Sequence, residues 1–218
     1  MKQIAVYNEL IKSMLTDTDI SGIMLMGSVA RGTATPASDL DIMVLCGKDE
    51  FRTEYIGGVL VEYIFLTYKN AKVKLSNNDM DLYHYLNGRI DLDKDGHLLE
   101  LQETARNKYL TYKTDKILRA PLYHWLLSTK IKLASAMEDR NELLASFIIA
   151  TNSWKILEAV WAVNDKPMPP SGSVLLFMNE LICTPFDNWF SLMFCDDYYV
   201  KADSLLRVID WVLPLLRS

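Results

Sequence analysis

The chain has 218 residues, half of them hydrophobic, with 23 Lys+Arg against 28 Asp+Glu and a formal net charge of −5. This length holds one large domain or two small ones, and the apolar content is ample for a core and points away from disorder. A pI near 5.2 argues against a nucleic-acid binder that relies on a broad basic surface. No apolar run reaches the roughly 18–20 residues that span a bilayer, and the opening MKQIAVYNEL is no signal peptide. Three scattered cysteines, Cys46, Cys183 and Cys195, fit a reducing cytoplasm better than a disulfide framework or a zinc site.

The first predicted element is an amphipathic helix from residue 3 to about 16, with Ile4, Leu10, Ile11, Met14 and Leu15 at helical intervals. Its expected task is to cover one face of a sheet. The stretch from Ile23 to Val44, IMLMGSVARGTATPASDLDIMV, then organises the chain. Ile23 to Met26 reads as a strand ending in Gly27-Ser28, where a small residue lets the backbone approach a ligand and a short helix start offers N–H groups to phosphate. A polar loop carries Arg31, Gly32 and Ser38. A second strand follows, with Asp39 and Asp41 on one face and Leu40, Ile42 and Val44 on the other. Two carboxylates this close repel without a cation, and hard oxygen donors suit Mg²⁺.

Lys48-Asp49-Glu50 reads as a polar connection. Gly57-Gly58 then precedes the strongly β-prone run Val59 to Leu66, taken as the third strand. Glu62 lies near its centre, between Val61 and Tyr63, where an unpaired charge is costly. Beside Asp39 and Asp41 it completes a three-acid metal site; on an edge strand it merely faces water.

Lys69–Leu75 reads as a short helix, and Ser76-Asn77-Asn78-Asp79 as the cap of another ending at Asn87-Gly88. Arg89–Leu92 reads as the last strand, Asp93-Lys94-Asp95-Gly96 as its turn, and His97 as the start of a helix. The run Asp91–Gly96 also matches the opening of a calcium loop, but its twelfth position is Gln102 in place of a bidentate acid, so the turn reading is adopted. Helices are then expected near 97–117, 120–138 and 141–163, with one or two more after the break at Pro167–Pro170. Pro121 suits a first helical turn, whereas Pro185 and Pro214 interrupt or end later segments. Leu126, Ile131, Leu133, Phe147, Ile148, Trp154, Leu157 and Trp161 supply apolar faces for a bundle. The three histidines, His84, His97 and His124, are dispersed along the chain.

The stretch around Gly27-Ser28 and Asp39-Leu40-Asp41 resembles the signature of the polymerase β-like nucleotidyltransferases: an apolar strand, Gly-Ser, a loop of about ten residues, then Asp-x-Asp in a second strand. With a helical bundle following, the chain looks like the small antibiotic nucleotidyltransferases that act on aminoglycosides or lincosamides. The likeness in motif covers roughly the first hundred residues and is one of architecture beyond them. The resemblance implies an α+β fold, a small mixed-sheet nucleotidyltransferase domain over 1–110 and a helical bundle over 111–218. It implies a catalytic metal site of Asp39, Asp41 and Glu62 holding two Mg²⁺ ions. Gly27, Ser28, Arg31 and Ser38 would bind nucleotide, joined by Lys155 from the bundle. ATP or another nucleoside triphosphate would donate its monophosphate to a hydroxyl of a small acceptor, releasing pyrophosphate. Lys155 pairs in sequence with Glu158, one turn on, and an exposed ion pair explains both as well. Glu138 and Glu142 are equally available as a general base. Trp189, Phe190, Met193 and Phe194 leave a homodimer open. Two alternatives stand beside this reading: a protein-modifying enzyme of a toxin–antitoxin-like pair, or a nucleotide-binding module that has lost transfer.

Overall fold

The computed structural model describes residues 2–217, which form two compact units dividing after Thr111. The first unit runs α1 (Lys2–Thr16), β1 (Gly22–Leu25), α2 (Gly27–Ala30), β2 (Leu40–Leu45), β3 (Glu50–Ile56), β4 (Val59–Leu66), α3 (Tyr68–Asn77), α4 (Asp81–Leu86), β5 (Arg89–Asp93) and α5 (His97–Leu110). The five strands form one sheet in the order β3-β4-β2-β1-β5. Only β2 and β4 run parallel, so the sheet is mixed. Together with the helical second unit, this is the expected α+β architecture.

Alternation along the central strands builds two cores. Ile23, Leu25, Leu40, Ile42, Val44, Val61 and Tyr63 point to the face that α1 covers through Ile4, Leu10, Ile11 and Met14. Met24, Met43, Leu45 and Leu66 point the other way, against Leu75, Leu82, Tyr85, Leu98 and Leu101 of the later helices. A central strand buried on both faces needs apolar residues at nearly every position, and β1 and β2 have them. Gly88 belongs to this packing: a Cβ there would sit 2.4 Å from the Met24 sulfur and 2.8 Å from the His84 carbonyl oxygen.

The sequence-based expectation omitted β3, and Glu62 therefore stands on the fourth strand, not the third. The sequence EFRTEYI has no consistently apolar face, because β3 is an edge strand whose side chains are mostly exposed. Its partner is fixed by Gly57 and Gly58, both with positive φ, which make the tight two-residue turn that matches strand twist. Two acids of the run Asp91–Gly96 have protein partners. Asp91 accepts from the Tyr7 hydroxyl and from Arg89, and Asp93 accepts from the Leu99 N–H in the first turn of α5.

The second unit comprises α6 (Lys116–Glu138), α7 (Glu142–Val163), α8 (Val174–Phe177), α9 (Trp189–Met193) and α10 (Tyr198–Arg217). The three long helices pack against one another, burying Leu126, Leu133, Ile156, Val160, Trp161, Leu205, Val208 and Val212. α7 is long and apolar enough by composition to cross a bilayer, unlike the sequence-based expectation, but contact with both α6 and α10 accounts for its apolar character. Asp115 caps α6 by accepting from the Leu118 N–H, so the preceding helix stops at Leu110 instead of reaching 117. Pro121 consequently lies in the second turn of α6, and Pro214 lies inside α10 without ending it. Ile131 and Phe147, expected in the core, are mostly exposed.

One contact ties α1 to the loop that precedes β2. Gln3 is fully buried, and its amide nitrogen donates to the carbonyls of Thr35 and Ser38, both at 2.9 Å. Replacing a buried donor leaves its acceptors unpaired at a cost of about 1–3 kcal/mol. Gln3→Leu is expected to lower unfolding stability by that amount and to speed amide exchange selectively in residues 33–38. Unchanged urea midpoints and exchange would show that the loop is held by other contacts.

Candidate active site

The site is built where β2 begins and where β4 runs beside it. Their parallel register sets Asp41 directly opposite Glu62, so both side chains emerge on the same face. Asp39 stands one residue before β2 and, two positions from Asp41, adds its carboxylate to the same side. All three acids are half-buried, and one oxygen from each lies within 4.8 Å of the others. Among the described residues this is the one group of three acids, histidines or cysteines so placed. Glu62 is not on an edge strand: β4 lies between β3 and β2.

Gly27 closes the other side. Its φ is +65°, and a Cβ built there would lie 2.0 Å from Asp41 Oδ2. No side chain fits, so the glycine is required by the Asp41 carboxylate as well as by the turn. The backbone carries the pairing onward, with the Met26 N–H donating to the Asp41 carbonyl at 2.9 Å. Ser28 is half-buried in the short α2, its carbonyl accepting from the Thr33 N–H. Among the described residues its hydroxyl makes no hydrogen bond.

Burial, then the charges of Asp39 and Glu62, push the Asp41 carboxyl up from 3.8 to about 6, with Arg31 opposing them. Burial holds the Arg31 guanidinium below its ordinary value, with Asp41 opposing. Its Nε is buried and has no protein acceptor. Three carboxylates with one partial counter-cation fit a hard divalent ion, whose arrival would relieve the repulsion.

The other expected residues are placed differently. The Ser38 hydroxyl accepts from the Thr35 N–H at 2.9 Å and closes the loop on itself. Lys155 is in the second unit, on α7, paired with Glu158 at 2.6 Å. The structure thus brings together Gly27, Ser28, Arg31, Asp39, Asp41 and Glu62 and uses Ser38 to shape the loop. Two neighbours escaped sequence reasoning. Gln3 pins the loop, yet a single polar residue in an amphipathic helix gives no sign of this. His84, near enough to feel the Arg31 charge, is held below its ordinary value chiefly by burial and faces Asp81 at 3.8 Å. It is remote in sequence from the motif.

A Gly-Ser turn lies against a strand of alternating acids, with a third acid on the adjacent parallel strand, which is the arrangement expected from the polymerase β-like resemblance. The chain belongs to the nucleotidyltransferase domain family, whose profile matches residues 7–135, and it is a nucleotidyltransferase. In structure it is similar to a nucleotidyltransferase-like protein from Exiguobacterium sibiricum 255-15, at 12% identity and a TM-score of 0.47, covering 100% of this chain and 75% of that one. No curated protein matches it in sequence.

Because the folded state raises the Asp41 pKa, it binds that proton more tightly than the unfolded chain does. The resulting destabilisation is absent below about pH 4, grows up to about pH 6 and is complete above it. In metal-free protein Asp41→Asn should therefore increase stability at about pH 8, by on the order of 2 kcal/mol, and have no effect near pH 3. Denaturant unfolding at both pH values checks this; a destabilised variant at pH 8 would refute the repulsion. Gly27→Ala should stay folded but lose transfer activity by about a hundredfold or more, because the methyl displaces Asp41. Steady-state kinetics beside circular dichroism would detect it.

Proposed function

We propose that this nucleotidyltransferase moves a nucleoside monophosphate, AMP from ATP, onto a hydroxyl of a small molecule, an aminoglycoside or lincosamide antibiotic being the leading class. The observation that supports it most is the placement of Asp39, Asp41 and Glu62 with their oxygens within 4.8 Å of one another, beside the glycine that Asp41 excludes from bearing a side chain. The three acids would hold two Mg²⁺ ions, which would supply charge neutralisation at the transferred phosphate and make the attacking hydroxyl more acidic.

The remaining roles belong to the chain's own groups. Gly27 gives the triphosphate close access to backbone, and the unengaged Ser28 hydroxyl donates to a phosphate oxygen. Arg31, with its orphaned Nε, meets a second one and balances charge that builds on the leaving group. The acceptor hydroxyl attacks the α-phosphorus in line, its proton leaves to a carboxylate or water, and pyrophosphate departs with the electron pair of the broken P–O bond. Ser38 acts by fixing the loop that carries Arg31. Residues 1–110 serve as the catalytic domain and 111–218 as the helical domain, with Lys155 as a further phosphate ligand once freed from Glu158. We place the reaction in the cytoplasm, in keeping with free cysteines.

Transfer from α-labelled ATP with Mg²⁺ tests this reading, using a panel of aminoglycosides, a lincosamide and the protein itself as acceptors. Wild type should label a small molecule, and Asp41→Asn and Glu62→Gln should each reduce the rate by at least about a thousandfold. Label only on protein would move the chain to the protein-modifying class. Unaltered rates in both variants would remove the acids from the chemistry.

A further inference from the structure

The edge strand β3 (Glu50–Ile56) carries a pattern that the transfer reaction does not use. It is open along its length, with Phe51 62% and Tyr55 78% exposed. It has no proline, lysine or bulge, its charges Glu50, Arg52 and Glu54 are of both signs, and its register with β4 is unbroken from Glu50 to Ile56. Two aromatic side chains standing in water on an open edge call for a partner.

The hairpin fixes which backbone groups are free. Ile56 and Val59 flank the two-residue Gly57-Gly58 turn and are directly opposite each other. In such a turn the flanking residues exchange both backbone hydrogen bonds, so Ile56, Glu54, Arg52 and Glu50 direct their N–H and C=O groups to β4. Phe51, Thr53 and Tyr55 direct theirs outward. Side chains alternate in the same way. Arg52 lies over the Tyr63 ring at 4.6 Å, and Glu54 accepts from the Tyr63 hydroxyl, both on the α1 face. Phe51, Thr53 and Tyr55 stand on the face of Glu62, since Thr53 is the register partner of Glu62.

We infer that β3 is a homodimer edge, pairing antiparallel with β3 of a second copy about a two-fold axis through Thr53. This register places Phe51 opposite Tyr55 of the partner subunit and Arg52 opposite Glu54 of the partner subunit, each contact occurring twice by symmetry. The outward backbone groups of Phe51, Thr53 and Tyr55 meet those of Tyr55, Thr53 and Phe51 of the partner subunit. Shifting by one residue would oppose outward groups to inward ones. Centring instead on Arg52 would face two arginines and set Glu50 against Glu54, and centring on Glu54 would face two glutamates. Of the three registers centred on Arg52, Thr53 and Glu54, only the one through Thr53 satisfies backbone, charge and aromatic pairing together, and it pairs more of β3 (Glu50–Ile56) than a register centred on Phe51 or Tyr55 does.

The pairing makes one ten-stranded sheet from two copies of five. The two Glu62 positions fall on one line through the axis, three strand spacings or about 14 Å apart, on the same face. Two acid clusters would thus work side by side on one continuous surface.

Sedimentation equilibrium of the full chain, from about 1 µM to about 500 µM, tests the pairing. The mass should rise from 25.0 kDa towards twice that value. Thr53→Pro removes only an outward N–H and should keep the chain monomeric while its circular dichroism is retained. Arg52→Glu and Glu54→Arg alone should each weaken the dimer by at least about tenfold, and the two together should restore it to within about threefold. A monomer throughout the range would overturn the inference. So would a dimer that survives Thr53→Pro, which would assign association to the exposed apolar side chains of the helical unit. A double swap that fails to restore pairing would overturn the register and, with it, the proposal.

Discussion

The Asp41 carboxylate, wedged between the Gly27 backbone and the charges of Asp39 and Glu62, is the constraint to which the rest of the first unit answers. A Cβ on residue 27 has no room, the turn must take a positive φ, and β2 must run parallel to β4 for Glu62 to stand opposite. The repulsion that results is held in place by the other side of the same strands, where Leu40, Ile42 and Val61 are wholly buried. Strand alternation therefore separates two opposing tendencies by a single residue step: apolar burial on one face fixes the backbone, and the backbone fixes the uncomfortable acids on the other.

The loop between Gly27 and Asp39 is shaped from outside as much as from within. Gln3 reaches from α1 to the carbonyls at Thr35 and Ser38, while Tyr7, one turn on, donates to Asp91 on the far edge strand β5. Burial and the Asp91 carboxylate both raise the Tyr7 hydroxyl above its ordinary range, so that bond is kept as a neutral donor at all ordinary pH values. α1 is thus a strap from the loop to the sheet edge, and its packing on the core governs how firmly Arg31 is presented.

Much of this was legible in the sequence because its physics is local. Asp39 and Asp41 two apart, an apolar alternate set, and Gly-Ser after a strand each state their geometry directly, and Glu62 inside an apolar run announces a buried charge with a reason. What stayed hidden depends on partners distant along the chain. β3 has no apolar face to display, since an edge strand needs none, and only the Gly57-Gly58 turn betrayed the hairpin. The end of α5 was set by Asp115 capping the next helix, a contact that outranks the continuous helical pattern across 97–117. Ser38 was expected to bind nucleotide; that its hydroxyl also accepts from the Thr35 N–H and shapes the loop depends on the loop's closure, which the sequence does not display. The reason for Gly27 was half-seen: close approach was expected, but towards a ligand, whereas the nearest neighbour is Asp41 itself.

The charge balance bears on how a nucleotide would enter the proposed site. The chain carries a net −5, three carboxylates crowd the site, and Arg31 already interacts with Asp41. A triphosphate approaching this field without a cation meets like charge, and a single guanidinium in a partly desolvated position does not reverse it. On the proposed reading, then, divalent ion and nucleotide depend on each other: the ion lowers the repulsion among the acids and that between the acids and the phosphates in one step. The same reasoning distinguishes a living transferase from a nucleotide-binding relic. On the proposed reading, a module that only held nucleotide would gain by losing Asp41, whose burial beside two other acids costs stability and repels anions, yet all three acids are present and in register. That cost is offset, on the same reading, by the cation the acids attract.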